Sequence, residues 1–129
     1  IGFCYNVSFP YGIRIKTFKQ IVNSITGFNL TIDEVLRVGE RAENLCRAFN
    51  VREGIRRKDD ALPKRLFEPL PDGPNKGAVI TREEFEKALT MYYEARGWNP
   101  ETGVPKRKKL EELGLRFIAD ELERLGINS

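Results

Sequence analysis

Apolar residues recur along this chain at three- and four-residue intervals rather than alternately, and that period predicts helices. Ile15, Phe18, Val22 and Ile25 fall on one face of a first helix, which Gly27 is placed to end. Thr31 with Glu34 is a capping-box pair and opens the longest periodic stretch. There Val35, Val38, Ala42, Leu45, Cys46 and Phe49 form a wide apolar stripe, the expected inner face of a helix ending near Asn50. A second box, Thr81 with Glu84, starts another helix. Its predicted inner face is Phe85, Leu89 and Tyr92, with Arg82–Glu86 and Glu83–Lys87 as i,i+4 pairs outside. Gly97, Asn99 and Pro100 close it, and Trp98 anchors the exit. A short helix over about 106–113 follows, and Leu115, Ile118, Leu122 and Leu125 mark a last one ending at Gly126.

The segments between these helices are irregular. Residues 1–13 mix Phe3, Tyr5, Phe9, Tyr11, Pro10, Gly2 and Gly12 without a period, which suits an irregular, largely buried lead-in. Residues 50–80 carry Pro63, Pro69, Pro71 and Pro74, a density that forbids a long helix. Short helical turns fit near 56–66, and a short extended piece fits Gly77 to Ile80. Leu62, Leu66, Phe67 and Leu70 would fasten the connection onto the helices. No stretch has strand alternation. The expected fold is all-α: one domain over 1–129, an irregular helical bundle of about four to five helices with long Pro/Gly-rich loops.

Composition narrows the chemistry. The chain has 129 residues, 40% hydrophobic and 32% charged, enough for one folded core. No apolar run approaches the roughly 20 residues that cross a bilayer, so no membrane partner is expected. Histidine is absent, which excludes Ser-His-Asp and Cys-His catalytic sites and a Cys2His2 zinc site within this chain. The net charge is +3, and one stretch accounts for it: Arg52, Arg56, Arg57, Lys58, Lys64 and Arg65 against Glu53, Asp59 and Asp60. With acids alternating among the cations and no aromatic platform beside them, this reads as a loop laced with ion pairs and carbonyl-bound arginines. No nucleic-acid partner is expected. Asp59 and Asp60 are far short of the ligands a hard cation needs, so salt bridging or helix-end capping is their expected work. Tyr92, Tyr93 and Trp98 read as packing rather than a ligand platform, and Lys106 to Lys109 as a solvated first turn.

The two cysteines differ. Cys46 lies on the apolar stripe and reads as a core residue. Cys4 sits beside Gly2 in an irregular segment, where backbone can approach a ligand closely. Spacing neither requires nor forbids a Cys4–Cys46 disulfide.

Several blocks together carry a family likeness. Gly39-Glu40-Arg41 leads into Arg41-Ala-Glu-Asn-Leu-Cys-Arg-Ala-Phe-Asn-Val-Arg-Glu-Gly54, which runs on through Arg57-Lys-Asp-Asp-Ala-Leu-Pro-Lys-Arg65. Pro71-Asp-Gly-Pro74 with Lys76-Gly77, Tyr92-Tyr-Glu-Ala-Arg-Gly-Trp98 and Leu110-Glu-Glu-Leu-Gly-Leu115 follow in order. This ordered set, over nearly all of 1–125, resembles the carboxy-terminal part of the tungsten-containing aldehyde:ferredoxin oxidoreductase family.

The resemblance implies a parent enzyme that oxidises aldehydes to carboxylic acids at a tungstopterin centre, passing electrons through a [4Fe-4S] cluster to ferredoxin. Ile1-Gly2-Phe3-Cys4 is similar to the end of the family's late cluster segment. On that resemblance Cys4 is one cluster ligand, and Gly2 and Phe3 are cofactor-binding. The aspartate of that segment, the CxxCxxxC segment, and the acid and histidine associated with aldehyde oxidation have no counterpart in this chain. The implied role is therefore one cluster cysteine plus structural cover. The isolated chain is expected to hold no cofactor and to be inactive, with no catalytic residue of its own.

Its implied partners are the remaining domains and ferredoxin, in the cytoplasm. Arg14, Lys16 and Lys19 are candidate docking charges because they follow Cys4 in sequence. An exposed cofactor-side face would favour homo-oligomerisation. The alternative is a free-standing helical protein-binding module, or a gene remnant without redox activity.

Overall fold

The computed structural model describes residues 12–128, and the chain divides into two compact units, Ile1–Ala42 and Glu43–Ser129. Five α-helices occur among the described residues: α1 (Ile15–Thr26), α2 (Ile32–Arg52), α3 (Arg82–Arg96), α4 (Arg107–Glu112) and α5 (Arg116–Arg124). Two 3-10 turns, Arg57–Asp59 and Lys64–Phe67, sit between α2 and α3. The only extended pairing among the described residues is an isolated bridge between Trp98 and Pro105. The all-α expectation is met, with the short turns where the proline-rich stretch allows them. No strand forms at Gly77 to Ile80. Instead the Gly77 and Leu70 backbones pair (2.9 Å), and Leu70 N–H donates to Ala78 O (3.0 Å), closing a tight loop.

In the first unit, α1 buries Val22 and ends at Gly27. Asn23 then fixes the connection to α2: its side chain donates to Leu30 O at 3.0 Å and accepts from Leu30 N–H at 3.1 Å. Residues 1–11, including the expected irregular lead-in, lie outside the described residues.

Both capping boxes form. Thr31 Oγ1 accepts from Glu34 N–H (3.2 Å), and Thr81 Oγ1 accepts from Glu84 N–H (3.1 Å). Each glutamate reaches back to its threonine amide, at 2.7 and 2.9 Å. Those amide bonds, and then the threonine hydroxyls, hold both carboxyls below their ordinary 4.5. A carboxylate favoured in the folded state stabilises above its ordinary pKa and loses that contribution as pH falls through the folded value. Thermal melts should thus show Tm falling on acidification below about pH 4.5, and less steeply for the Thr31→Ala, Thr81→Ala double variant. At neutral pH each Thr→Ala change should cost about 1 kcal/mol.

The core of the second unit gathers Ala48, Val51, Val104, Leu110, Leu113, Leu115, Ala119 and Leu122, with Ile118 and Ile127 packed against it. Outside this core, Arg107 ties α4 to α5 by bonding Glu111, Asp120 and Glu123 at 2.5–2.8 Å.

Three sequence expectations are corrected here. The apolar stripe of α2 is not its buried face: Val38, Leu45 and Phe49 are 61%, 42% and 55% exposed, and Cys46 is an exposed free thiol. The buried residues are Asn44, Arg47, Ala48 and Val51, and the helix runs on to Arg52. In α3, Tyr93 is buried (1% exposed) whereas Tyr92 is 41% exposed. The Arg82–Glu86 pair is replaced: Glu86 bonds Arg57, and Arg82 lies 4.7 Å over the Phe67 ring.

Candidate functional site

Gly2, Phe3 and Cys4, the residues assigned to a cofactor by resemblance, lie outside the described residues. The part of the signature block that lies in the second unit, Glu43 to Arg65, is built around one buried polar node.

Arg47 is its centre. Asn44, Arg47, Ala48 and Val51 share a face of α2 at i, i+3, i+4, i+7 spacing, so the arginine is carried inward with two core residues. Its guanidinium pairs with Asp60 at 2.7 Å, donates to Gly103 O at 2.8 Å, and reaches Tyr93 Oη at 3.4 Å. It also lies 4.9 Å over the Trp98 ring and 5.5 Å over the Tyr93 ring. Tyr93 in turn donates its hydroxyl to Asp60 Oδ2, the same oxygen that Arg47 approaches most closely. Beside it the Trp98 indole N–H donates to the fully buried Asn44 Oδ1 at 2.8 Å. No buried side-chain nitrogen or oxygen among the described residues lacks a partner.

Local backbone chemistry explains why these groups meet. Gly97 caps α3 and Trp98 N–H turns back to Tyr93 O at 2.8 Å, which sets the indole against its own helix. Asn99 Oδ1 then accepts from the amides of Glu101 and Thr102, while Asn99 N–H donates to Val104 O. That tight turn presents the Gly103 carbonyl to Arg47. Burial, reinforced by the bond to Asp60, pushes the Tyr93 hydroxyl up to about 12. It therefore stays protonated and donating at neutral pH.

The neighbouring arginines hold the loop as expected. Arg56 donates to Val51 O and Ile55 O at 2.6 and 2.8 Å, and Asp59 caps the Arg56 amide at 2.9 Å. Arg57 bonds Pro100 O at 2.7 Å, Glu86 O at 2.9 Å, and the Glu86 carboxylate. Asp59 and Asp60 are thus committed to capping and salt bridging. Tyr92, Tyr93 and Trp98 form an edge-and-tilt cluster with centroids 5.6–6.3 Å apart. A cleft of about 310 Å³ opens above this node, with Cys46, Asn50 and Leu89 on its walls.

This arrangement is chemically quiet. Arg47 is matched by Asp60 and Arg57 by Glu86, and no cluster of three or more His, Cys, Asp or Glu suited to a metal occurs among the described residues. The chain contains two cysteines and no histidine, so by itself it cannot furnish the four thiolates of a [4Fe-4S] cluster. Its donor set fits the contribution of one ligand. Asn44, Arg47 and Gly103 are the structurally decisive residues that apolar periodicity passes over. The signal for the first two was the spacing they share with Ala48 and Val51.

The signature block and its buried node fall within a longer match. The family model described as "Aldehyde ferredoxin oxidoreductase, domains 2 & 3" covers residues 1–115. The chain belongs to the aldehyde ferredoxin oxidoreductase family.

Among relatives in this aldehyde ferredoxin oxidoreductase family, a "Tungsten-containing aldehyde ferredoxin oxidoreductase" of Pyrococcus furiosus is 40% identical over 116 residues. That match takes in 88% of this chain and 18% of the relative, so the chain spans under a fifth of the relative's length. An "Aliphatic sulfonate oxidoreductase, WOR-like subunit" of the same organism is 38% identical over 84% of this chain and 19% of its own length. Among solved structures, the "Active site complex BamBC of Benzoyl Coenzyme A reductase in complex with 1,5 Dienoyl-CoA" superposes with a TM-score of 0.74. It is 28% identical, over 91% of this chain and 16% of that one.

Proposed function

We propose that this chain is the helical cover and one-thiolate contributor of a cytoplasmic tungstopterin/[4Fe-4S] enzyme that oxidises aldehydes to carboxylic acids, with ferredoxin as electron acceptor. The observation that carries the reading is that Gly2-Phe3-Cys4 falls inside the family match, together with the whole signature block. When bound, the metal cofactors supply the two-electron oxidation and the one-electron relay. Cys4 would hold one iron as a thiolate, and a glycine at position 2 would let backbone come close to the cluster sulfurs. Phe3 would be a cofactor contact. Three further cysteines, and the acid and base of aldehyde oxidation, come from other parts of the enzyme. The chain alone is then inactive.

The signature block acts indirectly in this reading. Arg47, Asp60 and Tyr93 satisfy one another at a largely buried node and tie α2, the loop and α3 of the second unit together. A reducing compartment suits both the cluster thiolate and the free Cys46 thiol.

The test is iron and tungsten content with electron paramagnetic resonance on the natively expressed polypeptide that carries this chain. Cys4→Ser should abolish the [4Fe-4S] signal, whereas Cys46→Ser should leave it unchanged. An intact cluster in Cys4→Ser would overturn the assignment, as would a cluster assembled by the 129-residue chain alone.

A further inference from the structure

A second groove in the second unit meets the buried node's cleft only at Asp60, which lines both. Its volume is about 700 Å³, and it runs between the proline-rich loop and α3. Leu62, Phe67 and Phe85 form its apolar wall, the two rings meeting edge-on at 5.8 Å. All three are only half-buried. Three cations border them: Lys58 on the first 3-10 turn, Lys64 on the second, and Arg82 at the start of α3.

The charge balance at this groove is one-sided. Glu86 is neutralised by Arg57, and Asp60 by Arg47. Lys58 and Lys64 are exposed and form no ion pair among the described residues, while Arg82 is engaged only with the Phe67 ring. Glu101 is the single remaining acid on the lining. An open groove with an apolar wall and an unmatched cationic border is complementary to an anionic ligand that also carries apolar side chains. The cations are drawn from three separate elements, so they suit negative charges distributed along a chain better than one small carboxylate. Exposed aromatic surface beside them supplies the anchor that charge alone lacks.

We infer that this groove docks an acidic peptide segment of another polypeptide, which places an apolar side chain against Phe67 and Phe85 while its carboxylates meet Lys58, Lys64 and Arg82. The inference does not depend on the cluster assignment of Cys4.

Fluorescence anisotropy of the 129-residue chain with a labelled peptide of alternating Glu and Leu tests it. A Glu/Ser peptide of equal charge and an oligonucleotide of equal charge serve as competitors. Binding should weaken with added salt and fall about tenfold in the Lys58→Glu, Lys64→Glu double variant. Those two lysines lack folded-state partners, so an unchanged Tm should accompany the loss. The Glu/Leu peptide should outcompete the Glu/Ser peptide by about tenfold. Undiminished affinity in the double variant would overturn the inference, and so would equal binding of the Glu/Ser peptide or tighter binding of the oligonucleotide.

Discussion

Arg47→Ala should lower the unfolding free energy by about 3 kcal/mol, seen as a shifted urea midpoint at unchanged slope. The mechanism is loss of a partner from a buried ionic node rather than loss of a cation. Without the guanidinium, Asp60 keeps only the Tyr93 hydroxyl, and the Gly103 carbonyl loses its charged donor. The Asp60 side chain is 28% exposed, so water partly relieves it, which puts the expected cost at the low end of the range for broken buried pairs. Arg47→Lys should recover little, because one ammonium cannot reach Asp60 and Gly103 O in the fork geometry while lying over Trp98. Asp60→Asn combined with Arg47→Ala should cost less than the sum of the two single changes. An additive double variant would mean that the two side chains act independently.

That experiment bears on how the sequence was legible. The helices, both capping boxes, the glycine stops and the arginine-to-carbonyl character of the loop follow from local chemistry: a cap needs only residues three apart, and proline breaks a helix interior. The facing of α2 does not. Ranking its positions by apolarity selects Leu45, Cys46 and Phe49, and it is Arg47 and Asn44 that turn inward. Their burial is stabilised by partners 13 to 56 residues away, in Asp60, Trp98 and Gly103, which no periodicity over one helix can sense. Tyr92 and Tyr93 exchange places for the same reason: the inner one is chosen by Asp60. The signature around Arg47 pointed to the right block through family likeness, while its physical purpose emerged only from long-range pairing.

Gly103→Ala should be as damaging as Arg47→Ala, and for a linked reason. Gly103 has φ +73°, which costs an alanine about 1–2 kcal/mol by itself. A methyl there would also overlap Arg47 Nη2 and come within 3.1 Å of the Tyr93 ring. Normally the end of an arginine swings away cheaply, but here Asp60 and the Gly103 carbonyl hold it, so making room breaks the node. The expected total is about 3–5 kcal/mol, combining backbone strain with a disrupted buried pair. Gly73 is the control: its φ is +83° and a methyl would meet nothing within 4 Å. Gly73→Ala should therefore cost only the backbone part, about 1–2 kcal/mol. A reduced cost should also appear when Gly103→Ala is made in the Arg47→Ala background, where only the 3.1 Å approach to Tyr93 remains beside the backbone strain. If urea denaturation gave Gly103→Ala the same cost with and without Arg47, the glycine would serve its turn alone. The link between that turn and the buried arginine would then be geometric only.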